Sequence, residues 1–452
     1  QISERKHRLP LLQNNIKVGN SLIDDPSVSD RAFKWENEFP EIMKKGGFDI
    51  VIGNPPYERT LHLENEKEFY NKTYNSAFGS YDIYILFIEL AIKLEKTNGL
   101  LGFIVSNKFM VSDYGKKIRE MILSSGKVLK VIDLADAKRV FPDALISPAI
   151  LLFQKTEKNF SYVVQRLIVD KDSTTINDES IDKIPLQKFV AQNGTFNVRY
   201  TKSCDSIETK LSKMPKLMDI AEIRTGVMGF EYWSIAPFLH EGKKDDHDIR
   251  ITTNSYIKPY GFLFGKPVKL YKKEFFQPYV NLDSLPVSEN TKILFKTTPK
   301  IIVRGVAKKL TATLDREGVG ILVAVHSVIP NKGYEPEIIL AFLNSKLLDW
   351  VHKQRFYLGR IPEGSLKYPI SFLKDLPIQD KVDPKLYAEI KQKVNELIDL
   401  EGNILLSQGY LTDKLQDMLN RETKIMNEID SLVYKAYNLT DKEIENIENE
   451  YL

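Results

Sequence analysis

The chain has 452 residues, which at roughly 150 per domain suggests two or three domains with cores of ordinary size. Charged residues are 28% and hydrophobic residues 42%, and no apolar run is long enough to span a bilayer, which excludes a disordered chain and a helical membrane protein. The single cysteine, Cys204, excludes a disulfide framework or a cysteine-built metal site, and a net charge of +3 leaves the partner open.

Residues 1–157 read as α/β. Ile16-Lys17-Val18 is a short strand, and Phe48–Ile52 is an apolar run ending at Gly53, as a buried parallel strand should. Residues 82–96 have helical apolar spacing and stop at Asn98-Gly99. Leu100–Val105, Lys127–Leu134 and Ala149–Phe153 are further strands, so the spacing predicts βαβ units in a mainly parallel sheet. Residues 158–290 alternate short β-rich pieces with Pro, Gly, Asn and Asp, as a loop-rich second domain. Residues 335–354 read as one helix, and from Asp383 onward helical spacing predicts two or three more.

Charge is unevenly spread. Residues 290–374 carry 14 Lys/Arg against 6 Asp/Glu, while residues 381–452 carry 9 against 15. The basic block suits a polyanion and the acidic tail a packing or solvating role. Within the block, Arg304, Lys308, Lys309, Lys353, Arg355 and Arg360 surround Trp350, Phe356 and Tyr357. Such residues supply phosphate contacts, and an arginine can read guanine in the major groove; a solvated basic face is the plainer alternative. The six histidines lack metal-ligand spacing, so no metal is expected.

Asn54-Pro55-Pro56-Tyr57 directly follows the strand Phe48–Ile52. Its prolines fix φ and remove two N–H donors, leaving a rigid loop that presents carbonyls. Asn54 adds a side-chain acceptor at the carboxyl end of a strand, where α/β ligand sites form, and Tyr57 adds an aromatic face. Two acceptors and a ring suit a flat heterocycle with an exocyclic amine. Such an amine is a poor nucleophile because its lone pair is delocalised. Hydrogen bonds from its two hydrogens to Asn54 Oδ1 and the Pro55 carbonyl favour a tetrahedral nitrogen with a directed lone pair. A proline-rich turn is the plainer alternative.

With these residues the chain resembles the S-adenosylmethionine-dependent amino-methyltransferases of DNA, in particular the TaqI-like, type IIG restriction–modification group. Asn54–Tyr57 matches their catalytic motif, and Gly19–Ile23 resembles the segment that meets the cofactor adenine, a role that falls to Asn20. Tyr81–Glu89 resembles the helix after the catalytic loop, with Phe87 lining the cofactor pocket. Val140-Phe141-Pro142 resembles the segment whose aromatic stacks on the flipped base, so Phe141 and Tyr57 would enclose an adenine. Pro299–Asp315, Ala341–Ser345 and Leu373–Ile378 look like the TaqI-like specificity domain, and Ile223–Gly226 like its opening turn.

The resemblance implies a partial Rossmann-like methyltransferase sheet in residues 1–157, an α+β DNA target-recognition domain in 158–380 and a helical tail in 381–452. It implies a cytoplasmic, membrane-free adenine-N6 methyltransferase of a type II restriction–modification system, acting on double-stranded DNA with S-adenosylmethionine. The family's glycine-rich cofactor motif is not found here. Gly226–Gly229 and Gly318–Gly320 read as turns in the wrong domain. The motif is therefore expected on an upstream amino-terminal segment, with any nuclease, and the isolated chain is expected to be inactive. The alternatives are a non-catalytic DNA-specificity fragment, and a protein glutamine methyltransferase, against which the large basic domain argues.

Overall fold

The computed structural model describes residues 15–58, 64–135, 137, 147–157, 161–169, 181–191, 194–198, 200, 204–356, 365–407 and 413–451. It divides into two compact units, Gln1–Tyr200 and Thr201–Leu452.

In the first unit six strands form one sheet in the order β1-β2-β4-β3-β5-β6. They are β1 (Phe48–Gly53), β2 (Glu95–Ser106), β3 (Gly126–Asp133), β4 (Pro148–Lys155), β5 (Val163–Ile168) and β6 (Asp182–Pro185). Three helices matter to the site: α1 (Glu64–Thr73), α2 (Tyr84–Leu94) and α3 (Lys116–Ser125). The β1–β2 and β3–β5 pairs are parallel, whereas β4 is antiparallel to both its neighbours. The sheet is therefore mixed rather than mainly parallel. The expected short strand at Ile16–Val18 does not form, and both apolar side chains lie exposed.

The domain boundary expected after residue 157 falls elsewhere. β5 pairs with β3 and β6 with β5, so the sheet extends beyond residue 157 and the units divide after Tyr200. β1 also differs from a buried strand. It occupies the sheet edge, with Ile50 60% and Ile52 78% exposed. An edge strand leaves one row of backbone N–H and C=O groups without a ladder partner.

α2 is buried around much of its circumference, from Tyr84 to Leu94. Its Glu89 is fully enclosed, ion-paired with Lys93 at 2.7 Å and accepting from Ser76 N–H at 2.7 Å. A buried carboxylate is tolerable when so satisfied, and here it anchors the loop preceding α2.

The second unit contains an antiparallel sheet of β7 (Ala221–Thr225), β10 (Lys300–Arg304), β11 (Ala312–Asp315) and β12 (Val325–Pro330), ordered β11-β10-β12-β7. Between β7 and β10 lie the short helix α4 (Gly229–Ile235) and the hairpin of β8 (Val268–Leu270) and β9 (Lys273–Phe275). The single helix expected over 335–354 is two, Pro336–Asn344 and α5 (Lys346–Phe356), because Ser345 adopts an extended backbone between them. The tail forms three helices, α6 (Pro384–Ser407), α7 (Asp413–Ala436) and Asp441–Glu448, and belongs to this unit rather than standing apart. Asp349 in α5 is a buried hub. It accepts from Leu310 N–H at 2.7 Å, Tyr368 hydroxyl at 3.1 Å and Tyr451 hydroxyl at 2.6 Å. Among the described residues no helix is long and apolar enough to cross a membrane.

Candidate active site

The site starts where β1 ends. Gly53 has no side chain, and a Cβ there would approach the Phe103 ring on β2 to 3.2 Å. The chain then runs into Asn54-Pro55-Pro56-Tyr57, of which Pro55 is buried and the other three are exposed. The loop is fixed at its far end by Ile83 N–H donating to the Glu58 carbonyl at 2.9 Å.

The Tyr57 hydroxyl lies 3.1 Å from Asn54 Oδ1 and 3.1 Å from the Ile104 carbonyl on β2. A hydroxyl has one proton, so the two acceptors share it. Burial raises the Tyr57 pKa, which keeps the phenol neutral and a donor. The Tyr57 ring meets the Tyr84 ring edge-on at 6.1 Å and 60°. Tyr84 is fully enclosed, contacts the Tyr114 hydroxyl at 3.1 Å and packs edge-on to Phe109. The exposed aromatic face thus has a rigid aromatic backing.

At the ends of β2 and β3, buried Asn107 donates through Nδ2 to Asp133 Oδ1 at 3.4 Å. Tyr84, Tyr114 and Asn107 were not singled out from the sequence. An aromatic opening the helix after a Pro-Pro loop was a usable signal for Tyr84. The Ile104 carbonyl left none, because any residue supplies a carbonyl.

Asn20 and Phe87 are held separately from the loop. Asn20 forms an isolated bridge with Ala32, and its Oδ1 accepts from Leu22 N–H at 3.2 Å. Its neighbour Tyr70, on α1, donates to Glu66 at 2.7 Å. Phe87 is half-buried on α2. Among the described residues no hydrogen bond joins Asn20 or Phe87 to Asn54 or Tyr57. Phe141 lies outside the described residues, as do Arg360 and Tyr357.

The remaining basic positions differ from one another. Arg355 is bound at both ends of its guanidinium by Glu208, at 2.7 and 3.2 Å. Lys353 pairs with Asp349 at 3.2 Å and lies over the Tyr451 ring, which Lys309 also approaches at 5.1 Å. Lys308 is exposed and forms no ion pair among the described residues. Arg304 is half-buried, with no acceptor for its buried Nε among the described residues, and burial lowers its pKa. Trp350 is a core residue, 2% exposed.

Comparison with known proteins matches residues 2–141 to the Eco57I restriction-modification methylase family and residues 260–378 to the TaqI-like C-terminal specificity domain. The type II restriction enzyme and methyltransferase RM.Eco57I of Escherichia coli is 36% identical over 162 residues, covering 34% of this chain and 16% of that protein. A putative type II restriction enzyme and methyltransferase of Methanocaldococcus jannaschii, RM.MjaORFECS2P, is 25% identical over 425 residues, covering 90% of this chain and 32% of that protein. The chain thus spans under a third of each relative or about that. The type IIL restriction-modification enzyme MmeI, solved with DNA, has a similar fold over 94% of this chain and 58% of its own, at a TM-score of 0.55 and 11% identity. Residues 2–141 are thus similar to the Eco57I restriction-modification methylases, and residues 260–378 to the TaqI-like C-terminal specificity domains.

Proposed function

We propose that this chain carries the catalytic loop and target-recognition unit of a site-specific DNA adenine-N6 methyltransferase within a type II, IIG-like, restriction–modification enzyme. The observation that carries this reading is the rigid placement of Asn54–Tyr57 at the carboxyl end of β1, with Tyr57 bridging Asn54 Oδ1 and the Ile104 carbonyl. A flipped adenine stacked on Tyr57 would present its exocyclic amine to Asn54 Oδ1 and the Pro55 carbonyl. The two acceptors hold the amine hydrogens and direct the nitrogen lone pair outward. Neither is a strong base, so the nitrogen attacks as the neutral amine, and its surplus proton passes to solvent after the new bond forms.

S-adenosylmethionine, when bound, would supply the sulfonium-activated methyl group. The residues present fit one side of it. Asn20 Oδ1 retains a second lone pair beyond its contact with Leu22, suited to an adenine amine, and Phe87 offers a half-buried ring. The glycine-rich turn for the cofactor's amino-acid end is proposed to lie on another segment that adds strands beside β1, whose exposed Ile50 and Ile52 such strands would cover. Recognition of double-stranded DNA is assigned to the second unit, with Lys308 and Arg304 among its phosphate contacts, and the enzyme to the cytoplasm, where host DNA lies. A glutamine methyltransferase is disfavoured by the specificity domain at residues 260–378.

The test is methyl transfer to duplex DNA by this chain together with a segment bearing the glycine-rich motif, followed by base-resolved sequencing. N6-methyladenine at one fixed sequence is expected. N4-methylcytosine would overturn the choice of base, and methylation of protein alone would overturn the substrate.

A further inference from the structure

The second unit carries an apolar surface that its fold does not use. On α4, Phe230 is 87% and Trp233 66% exposed, three positions apart on one helix face, and the preceding Met228 is 56% exposed. Contiguous exposed aromatics of this kind mark an interaction surface, and tryptophan is prominent among residues that carry binding energy.

The helix is held rather than loose. Glu231 accepts from Ser288 N–H at 2.7 Å and from the Thr291 hydroxyl at 2.8 Å. From the other side it is buttressed by the β8–β9 hairpin. The Tyr271 hydroxyl donates to the Tyr232 carbonyl at 2.5 Å, and the Tyr271 ring lies 4.6 Å from that of Tyr232 and 5.8 Å from that of Trp233. The hairpin turn is Tyr271-Lys272, both with positive φ, 49° and 69°. Glycine or asparagine is the usual occupant of such a turn, because a Cβ is crowded there. Here the turn instead retains two long side chains, one bracing α4 and the other an exposed cation.

Charge identifies the occupant. From Tyr260 to Phe276 the sequence has four lysines, Lys266, Lys269, Lys272 and Lys273, against one acid, Glu274. All four lysines are exposed, and none forms an ion pair among the described residues. Lys272 follows Tyr271, whose ring meets that of Trp233, so an unpaired lysine adjoins the exposed rings, with Lys269 and Lys273 on the two faces of the same hairpin. Such a surface matches a partner with flat apolar faces lined by anions, which is the chemistry of stacked bases between phosphates.

We propose that Phe230 and Trp233 form an aromatic wedge that packs against base faces of the bound duplex, while Lys269, Lys272 and Lys273 hold the flanking phosphates. This rests on the reading of the second unit as a DNA-recognition unit and extends it to a surface outside the basic block. A wedge of this type partly unstacks a base step, so it selects deformable steps without reading base edges.

The experiment titrates the full chain with a randomised-sequence duplex across a salt series. Tryptophan emission and affinity are followed for wild type, Phe230→Ala/Trp233→Ala, Trp233→Phe and Lys269→Ala/Lys272→Ala/Lys273→Ala. Of the three tryptophans, Trp350 is enclosed, Trp35 is bonded through Nε1 to the Ser21 carbonyl, and Trp233 is free to report. DNA should quench the emission, and Trp233→Phe should abolish the quench while retaining most affinity. The double alanine variant should bind about ten- to a hundredfold more weakly at every salt concentration. The lysine variant should flatten the slope of log affinity against log salt by about 2 to 3. Wild-type binding matched by the double variant, with emission unmoved, would overturn the wedge and leave the DNA reading intact. Self-association lost in the double variant with DNA affinity unchanged would also overturn it, assigning the surface to a second copy. Absence of duplex binding by wild type at low salt would overturn the DNA reading and the wedge together.

Discussion

The hydroxyl of Tyr57 lies 3.1 Å from Oδ1 of Asn54, so the ring and the amide of one loop are oriented by each other. The second contact of that hydroxyl, to the Ile104 carbonyl, fixes both to β2. Removing only the hydroxyl tests this coupling. In the complete enzyme, Tyr57→Phe should keep the ring and its packing on Tyr84 but loosen Asn54, lowering turnover by about tenfold, the worth of one neutral hydrogen bond. Duplex affinity should stay within error of wild type in a binding titration.

Asn54→Ala removes the acceptor itself. In the complete enzyme turnover should fall by about a hundredfold or more with DNA affinity nearly intact, since a preorganised group aimed at the reacting nitrogen acts mainly in the transition state, for about 3 kcal/mol. Single-turnover methylation is the measurement, and near-normal rates would remove Asn54 from the chemistry.

Glu95 gives a pH signature. It is fully enclosed at the start of β2, both carboxyl oxygens lack a hydrogen-bond partner among the described residues, and desolvation pushes its pKa from 4.5 up to about 7 despite the nearby Lys155. Below pH 4.5 the group is protonated whether folded or unfolded, and no charge has to be buried. Between 4.5 and about 7 the unfolded chain ionises first, so stability falls, and above 7 the full cost remains. Glu95→Gln should therefore stabilise the first unit by roughly 3 kcal/mol at most above neutrality and by little in acid. Denaturant midpoints compared at the two ends of that range will show whether the gain grows with pH.

Two cations of the basic block should behave oppositely. Lys308→Ala should weaken duplex binding and reduce the salt slope by about 1, as loss of one phosphate contact does. Arg355→Ala should leave that slope unchanged and lower the melting temperature, because its guanidinium is committed to Glu208. A salt titration beside a thermal scan separates the two.

The isolated chain should bind S-adenosylmethionine poorly and methylate nothing. Its edge strand β1, with Ile50 and Ile52 exposed, should accept the strands of a segment carrying the glycine-rich motif, and both properties should then appear. Calorimetry on the chain alone decides it, since micromolar binding without an added segment would mean that the pocket lies elsewhere.

Much of the first unit was legible because its signals are local. An apolar run followed by Asn-Pro-Pro-Tyr marks β1 and its loop, and helical spacing marks α2. The direction of β4 was not legible, since alternation looks the same for parallel and antiparallel strands. The break at Ser345 was hidden because the apolar spacing continues on both sides of it. β5 and β6 were misplaced because the loops around them are rich in polar and turn-forming residues. The basic block was visible as composition, but its internal commitments were not. Glu208 lies 147 positions from Arg355, and nothing near either residue announces the other.

The Asp349 hub carries a consequence for how the protein is made. Its shortest hydrogen bond comes from Tyr451, 102 positions downstream. At about 5–20 residues per second, a ribosome needs roughly 5–20 seconds to travel from one to the other. Through that interval the carboxylate lacks the donor that completes its enclosure. The second unit therefore carries an unfinished centre through that interval, and the enclosure of its buried carboxylate waits for the segment that bears Tyr451 rather than for the folding of its sheets.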